Sequence, residues 1–65
     1  MTVQSDLQKA LAEAELAKGT YATYEQSTDD RRVKQMYSQM ASELDQHISQ
    51  INSCLDVTAQ NVLNN

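Results

Sequence analysis

The sequence contains no proline, phenylalanine or tryptophan, and only one glycine (Gly19), one histidine (His47) and one cysteine (Cys54). Without proline, nothing in the 65 residues forces a break in the backbone. A lone cysteine excludes an intrachain disulfide, and its seven-residue separation from His47 is not a zinc-site spacing. No apolar run exceeds three residues, so no segment is fit to span a bilayer. The stretch Met1-Thr2-Val3-Gln4-Ser5-Asp6 has neither a basic nor an apolar region, so no secretory signal peptide is visible. The expectation is a chain made in the cytoplasm; an assembly formed later outside the cell would leave no mark on these residues.

Charge is equally uninformative of a polyanionic partner. The net charge is −4, and the basic residues cluster only at Arg31, Arg32 and Lys34, beside Asp29 and Asp30. Nucleic-acid binding needs a basic face that releases counterions, and three cations against adjacent carboxylates do not make one. What the chain does have is Ala, Gln, Glu, Leu and Met, all good helix formers, which argues an all-α fold. A chain this short buries only about 60% of the surface it exposes when unfolded. With disulfide and metal excluded as staples, oligomerisation is the remedy left.

Apolar or small residues recur at Val3, Leu7, Ala10, Ala14, Ala17, Tyr21, Tyr24 and Thr28 in alternating steps of four and three, a heptad seam. Leu11 widens that stripe. Thr2 or Ser5 is placed to cap its start, and Ser5 with Gln8 has capping-box spacing. A first helix is therefore expected over about residues 3–26. Its middle, Ala10, Ala14 and Ala17 with Gly19 close behind, lets a neighbouring backbone approach; Gly19 marks a close crossing, a bend or nothing. The residues Gln26-Ser27-Thr28-Asp29-Asp30 break the pattern with capping residues and carboxylates suited to a helix N-terminus, which places a turn at 27–29. Val33, Met36, Tyr37, Met40, Leu44, His47, Ile48, Ile51, Leu55 and Thr58 then predict a second helix over about 29–60. An amide-rich tail, 61–65, is expected to fray.

So short a connection makes the two helices antiparallel neighbours, a single hairpin domain over residues 1–65. Each helix covers one stripe of the other, which leaves Leu11, Leu16, Met36, Ile48 and Val57 facing outward. The expectation is assembly with other copies, either as a closed bundle or, through a contact that does not close, as a filament. The residues assigned to packing and self-association are Leu7, Ala10, Leu11, Ala14, Ala17 and Tyr21 on the first helix, and Met36, Met40, Leu44, Ile48, Ile51 and Leu55 on the second.

Residue types that carry chemistry are sparse. Glu43 and His47 stand at i and i+4, whereas di-iron bundles use Glu-x-x-His at i and i+3, and no glutamate joins the first seam. His47 reads as a seam or boundary residue hydrogen-bonded across the bundle. Cys54 reads as a small buried hydrophobe or as the site of an intermolecular disulfide. Tyr21, Tyr24 and Tyr37 flank the turn and pack there; Met36 and Met40 fill the core or line an adaptable contact surface. No nucleophile–base pair, phosphate loop or nucleophile elbow is present, so neither catalysis nor a cofactor is expected.

The segments Met1-Thr2-Val3, Lys18-Gly19-Thr20-Tyr21, Ser27-Thr28-Asp29-Asp30, Lys34-Gln35-Met36-Tyr37 and Gln50-Ile51-Asn52-Ser53 resemble the domain-of-unknown-function family numbered 1657, found in endospore-forming Firmicutes. The resemblance covers most of residues 1–56. It implies a helical hairpin, a spore-forming source and no known enzymatic activity, with some members encoded beside spore membrane proteins. A looser similarity to ferritin-like spore-coat hairpins points the same way. The functional expectation is a non-enzymatic structural or self-assembly protein, a homo-oligomer or filament subunit linked to sporulation and located in the spore or in an extracellular assembly. The alternative is a helical adaptor for a larger spore or membrane-associated protein.

Overall fold

The structure, a computed structural model, describes the backbone of residues 2–64 and the side chains of residues 2–58. It consists of two helices, α1 (Val3–Ser27) and α2 (Arg31–Asn64), packed as an antiparallel hairpin. The particle is a rod of 53 × 18 × 12 Å, as long as α2 and two helices wide.

Capping chemistry sets the helix ends. Thr2 takes an extended conformation and its hydroxyl accepts the Ser5 N–H at 3.0 Å, so Thr2 rather than Ser5 is the N-cap of α1. Asp6 places a carboxylate in the first turn, at the positive end of the helix dipole. Towards the other end of α1, the hydroxyls of Thr20, Thr23 and Ser27 donate to the carbonyls four residues earlier, at 3.0, 3.0 and 2.9 Å. Thr28 then turns extended, and its N–H closes the last turn on the Tyr24 carbonyl at 3.1 Å.

The turn falls at residues 28–30, one residue later than the expected 27–29, and α2 begins at 31 rather than 29. The cause is Asp30. Its carboxylate accepts the N–H groups of Arg32 (2.9 Å) and Val33 (3.2 Å), while its carbonyl takes the first helical bond from Lys34 at 2.8 Å. Asp30 is thus the N-cap, and the helix starts after it. The Thr28 hydroxyl accepts the Asp30 N–H at 3.3 Å and steadies the turn. At the far end α2 continues through Asn64, past the expected boundary near 60, so the tail assigned to 61–65 is helical up to residue 64. The tail's side chains, and Met1 and Asn65 altogether, lie outside the described residues.

The seam between the helices follows strict four-three spacing on both sides. On α1 it runs through Leu7, Leu11, Ala14, Lys18, Tyr21, Glu25 and Thr28; on α2 through Tyr37, Ala41, Leu44, Ile48, Ile51, Leu55 and Thr58. All are half-buried except Ala14, the one fully buried residue among those described. Several placements differ from the sequence reading. Leu11 and Ile48, expected to face outward, lie in the seam; Val3 (69% exposed) and Tyr24 (48%), expected within it, lie outside. His47 is exposed, not a seam residue. The reason is angular: an α-helix of this length buries one stripe, and Lys18 and Glu25 complete the heptad that Leu7, Leu11 and Ala14 begin. Lys18 joins an apolar seam by laying its stem along it and carrying its ammonium out to Asp45, 2.6 Å away. Gly19 faces open space, so no close crossing within the hairpin requires it.

The fold is thin. Its accessible surface is 5072 Å², whereas a compact 7.3 kDa monomer exposes about 4,200 Å².

Candidate self-association face

The two broad sides of the hairpin differ in chemistry. One carries the Lys18–Asp45 ion pair. On the other, residues flanking the seam form a second set of stripes. Along α1 these are Val3, Ala10, Ala17 and Tyr24, one every seven residues; along α2 they are Val33, Met36 and Met40 near the turn and Cys54 and Val57 near the open end, again in steps of three and four. Between them on α2 stand the polar Glu43, His47 and Gln50, on the same heptad rows.

Two depressions mark the ends of this side. At the open end of the hairpin, Val3 and Leu7 of α1 and Ser53, Cys54, Val57 and Thr58 of α2 line an open, mainly apolar groove of about 430 Å³. At the turn, a shallower one of about 210 Å³ lies among Tyr24, Ser27, Thr28, Val33 and Tyr37. In both, residues of the two flanking stripes meet across the seam, which establishes that the stripes share one face. The three tyrosines close the turn end. Tyr21 and Tyr37 stack with ring centres 6.1 Å apart and planes at 19°, and Tyr24 meets Tyr37 at 5.4 Å and 54°.

Of the residues singled out from the sequence, Leu7, Ala10, Leu11, Ala17 and Tyr21 of α1 are half-buried, as are Met40, Leu44, Ile48, Ile51 and Leu55 of α2. Ala14 is buried, and Met36 is 47% exposed. Cys54 is an exposed free thiol on the groove wall, not the buried hydrophobe that was one reading of it. Tyr24, Leu16, Met36, Val57 and Val3 are the large apolar residues most open to solvent; Val3, Tyr24 and Val57 line the two depressions, and Met36 lies on the heptad row of Val57. Neither the groove nor the Lys18–Asp45 pair is marked by the sequence pattern of a single helix. The available signal is the seven-residue recurrence of Val3, Ala10, Ala17 and Tyr24, which also fits the seam.

No group of three or more His, Cys, Asp or Glu side chains among the described residues is arranged to hold a metal ion. No described helix is long and apolar enough to cross a membrane.

Fold and face together define the class: an all-α helical hairpin with an apolar side left open. Residues 7–55, most of the chain, match the family described as "Protein of unknown function (DUF1657)". The chain belongs to that family, in agreement with the resemblance of its turn and helix segments. No curated protein and no solved structure matches it.

Proposed function

We propose that the protein is a non-enzymatic structural subunit that works by self-assembly, as a homo-oligomer or filament subunit. The observation that carries this reading is the missing core: two helices enclose a single alanine among the described residues, while Val3, Tyr24, Met36 and Val57 stand open to solvent on one side. Apolar surface of that kind gains about 25 cal/mol for each Å² removed from water, so a covering partner stabilises the fold directly. The spore setting belongs to the same proposal and rests on the family resemblance.

A second reading, an adaptor that binds a helix of a larger protein, is favoured by the open-end groove. Its apolar walls suit the side chains of an amphipathic helix. Sedimentation of the purified chain combined with electron microscopy separates the two. Dimers, larger closed oligomers or fibres support self-assembly; a monomer at all concentrations refutes it and leaves the adaptor.

A further inference from the structure

We propose that the apolar face binds the same face of a second copy with ends exchanged, so that the turn end of each hairpin covers the open-end groove of the other. This rests on the self-assembly reading and specifies its face, symmetry and register.

Area is the first argument. The chain exposes 5072 Å², roughly 900 Å² more than a compact monomer of its mass. That excess is close to the about 800 Å² that each partner contributes to a stable interface of standard size. Part of that excess is the end of α2 that runs past the start of α1; a single covering copy removes area of the remaining order.

Shape decides how the copy sits. The larger depression, about 430 Å³, is at the open end between Val3, Leu7, Cys54 and Val57. The bulkiest open side chains on the face, Tyr24 and Met36, are at the turn end. With ends aligned, groove would face groove and the large side chains would meet each other. With ends exchanged, Tyr24 and Met36 of each copy enter the groove of the other.

Charge makes the same choice. Asp45 is paired with Lys18; apart from that pair, the open-end half, residues 1–15 and 46–65, holds Asp6, Glu13, Glu15 and Asp56 against Lys9 alone, a net −3. The turn-end half, residues 16–44 apart from Lys18, sets Arg31, Arg32 and Lys34 against Glu25, Asp29, Asp30 and Glu43, a net −1. Aligned ends would stack two −3 halves; exchanged ends set each −3 half over a −1 half that carries the arginines.

The register closes on one twofold axis. Val3 and Val57 share the open-end groove, and Tyr24 lies against Tyr37, the neighbour of Met36. An axis across the middle of the face that sets Val3 opposite Tyr24 of the second copy also sets Val57 opposite Met36. The same axis places Ala10 opposite Ala17, small against small, where the backbones must approach. The result is a closed four-helix bundle with an isologous interface.

The test uses the full-length chain with Cys54→Ser, in two versions, one with Met36→Cys and one with Val57→Cys. All three positions are exposed, and helical circular dichroism checks that each version folds. Positions 36 and 57 are about 32 Å apart along one helix, at 1.5 Å per residue. A disulfide needs Cα atoms within about 7 Å. Diamide is the oxidant: it takes the two hydrogens of a thiol pair as the sulfur–sulfur bond forms. The expected result is a covalent dimer at least tenfold more abundant in the mixture of the two versions than with either alone. Sedimentation of the unmodified chain runs in parallel. A dimeric mass without the mixed cross-link, or with self-linking of either version alone, overturns the exchanged-end arrangement and leaves self-assembly standing. A polymer in place of a dimer overturns the closed pairing alone, and a monomer overturns both.

Discussion

Replacing Tyr37 with leucine removes two aromatic contacts at once while keeping an apolar side chain in the seam. The Tyr37 ring centre lies 6.1 Å from that of Tyr21 and 5.4 Å from that of Tyr24. Each such pair contributes about 0.5–1.5 kcal/mol beyond the area it buries, so Tyr37→Leu is expected to cost about 1–3 kcal/mol. A chain of 65 residues has a total stability of about 3–10 kcal/mol, so the loss is a large fraction. Urea unfolding followed by helical circular dichroism reads it. At a slope of about 1 kcal/mol/M, the midpoint falls by about 1–3 M. Protein concentration must be held fixed, because association adds to apparent stability. Tyr21→Leu loses one contact and should cost about half as much, and less again when Tyr37 is already leucine. A Tyr37→Leu midpoint within about 0.3 M of wild type, at an unchanged slope, would refute the claim that the rings hold the turn end together.

Gly19 faces open space within α1, so Gly19→Ala is expected to stabilise the hairpin by about 0.5–1 kcal/mol in the same urea assay. Asp30→Ala removes the acceptor for the Arg32 and Val33 N–H groups; the expected cost is about 1 kcal/mol, with loss of helical signal at the start of α2. The Lys18–Asp45 pair is 44% and 57% exposed at its two side chains, so a double-mutant cycle with both residues changed to alanine should give a coupling below about 1 kcal/mol that shrinks as salt is added. Val57→Glu puts a carboxylate on the groove wall and is expected to weaken self-association at least tenfold by sedimentation, with the helix content of the folded chain unchanged.

Much of the fold is legible in the residues. The break at 26–30 stands out because Ser27, Thr28, Asp29 and Asp30 are turn and cap residues between two helix-forming stretches. Leu7, Ala14, Tyr21, Leu44 and Ile51 mark the contact surface, since each lies on the shared row of any heptad drawn through them. The flanks are less legible. On α1, two heptads share Leu7, Ala14, Tyr21 and Thr28. One adds Val3, Ala10, Ala17 and Tyr24; the other adds Leu11, Lys18 and Glu25. Hydrophobicity favours the first, yet Leu11, Lys18 and Glu25 are half-buried while Val3 and Tyr24 are exposed, and the Lys18 amine reaches Asp45 across the helices, an interaction no single-helix pattern reveals. Leu11 and Ile48 are half-buried on that same flank. The stripe is wider than one partner helix covers, and the part left over is the candidate site. Its groove needs both helices in place, so no linear pattern displays it.

A second copy is expected to cover this open side. Sedimentation equilibrium of the unmodified chain over a wide concentration range tests that most directly. The mass is expected to rise to twice the 7.3 kDa of the chain and to stop there. A folded chain that stays at 7.3 kDa across the range would contradict it.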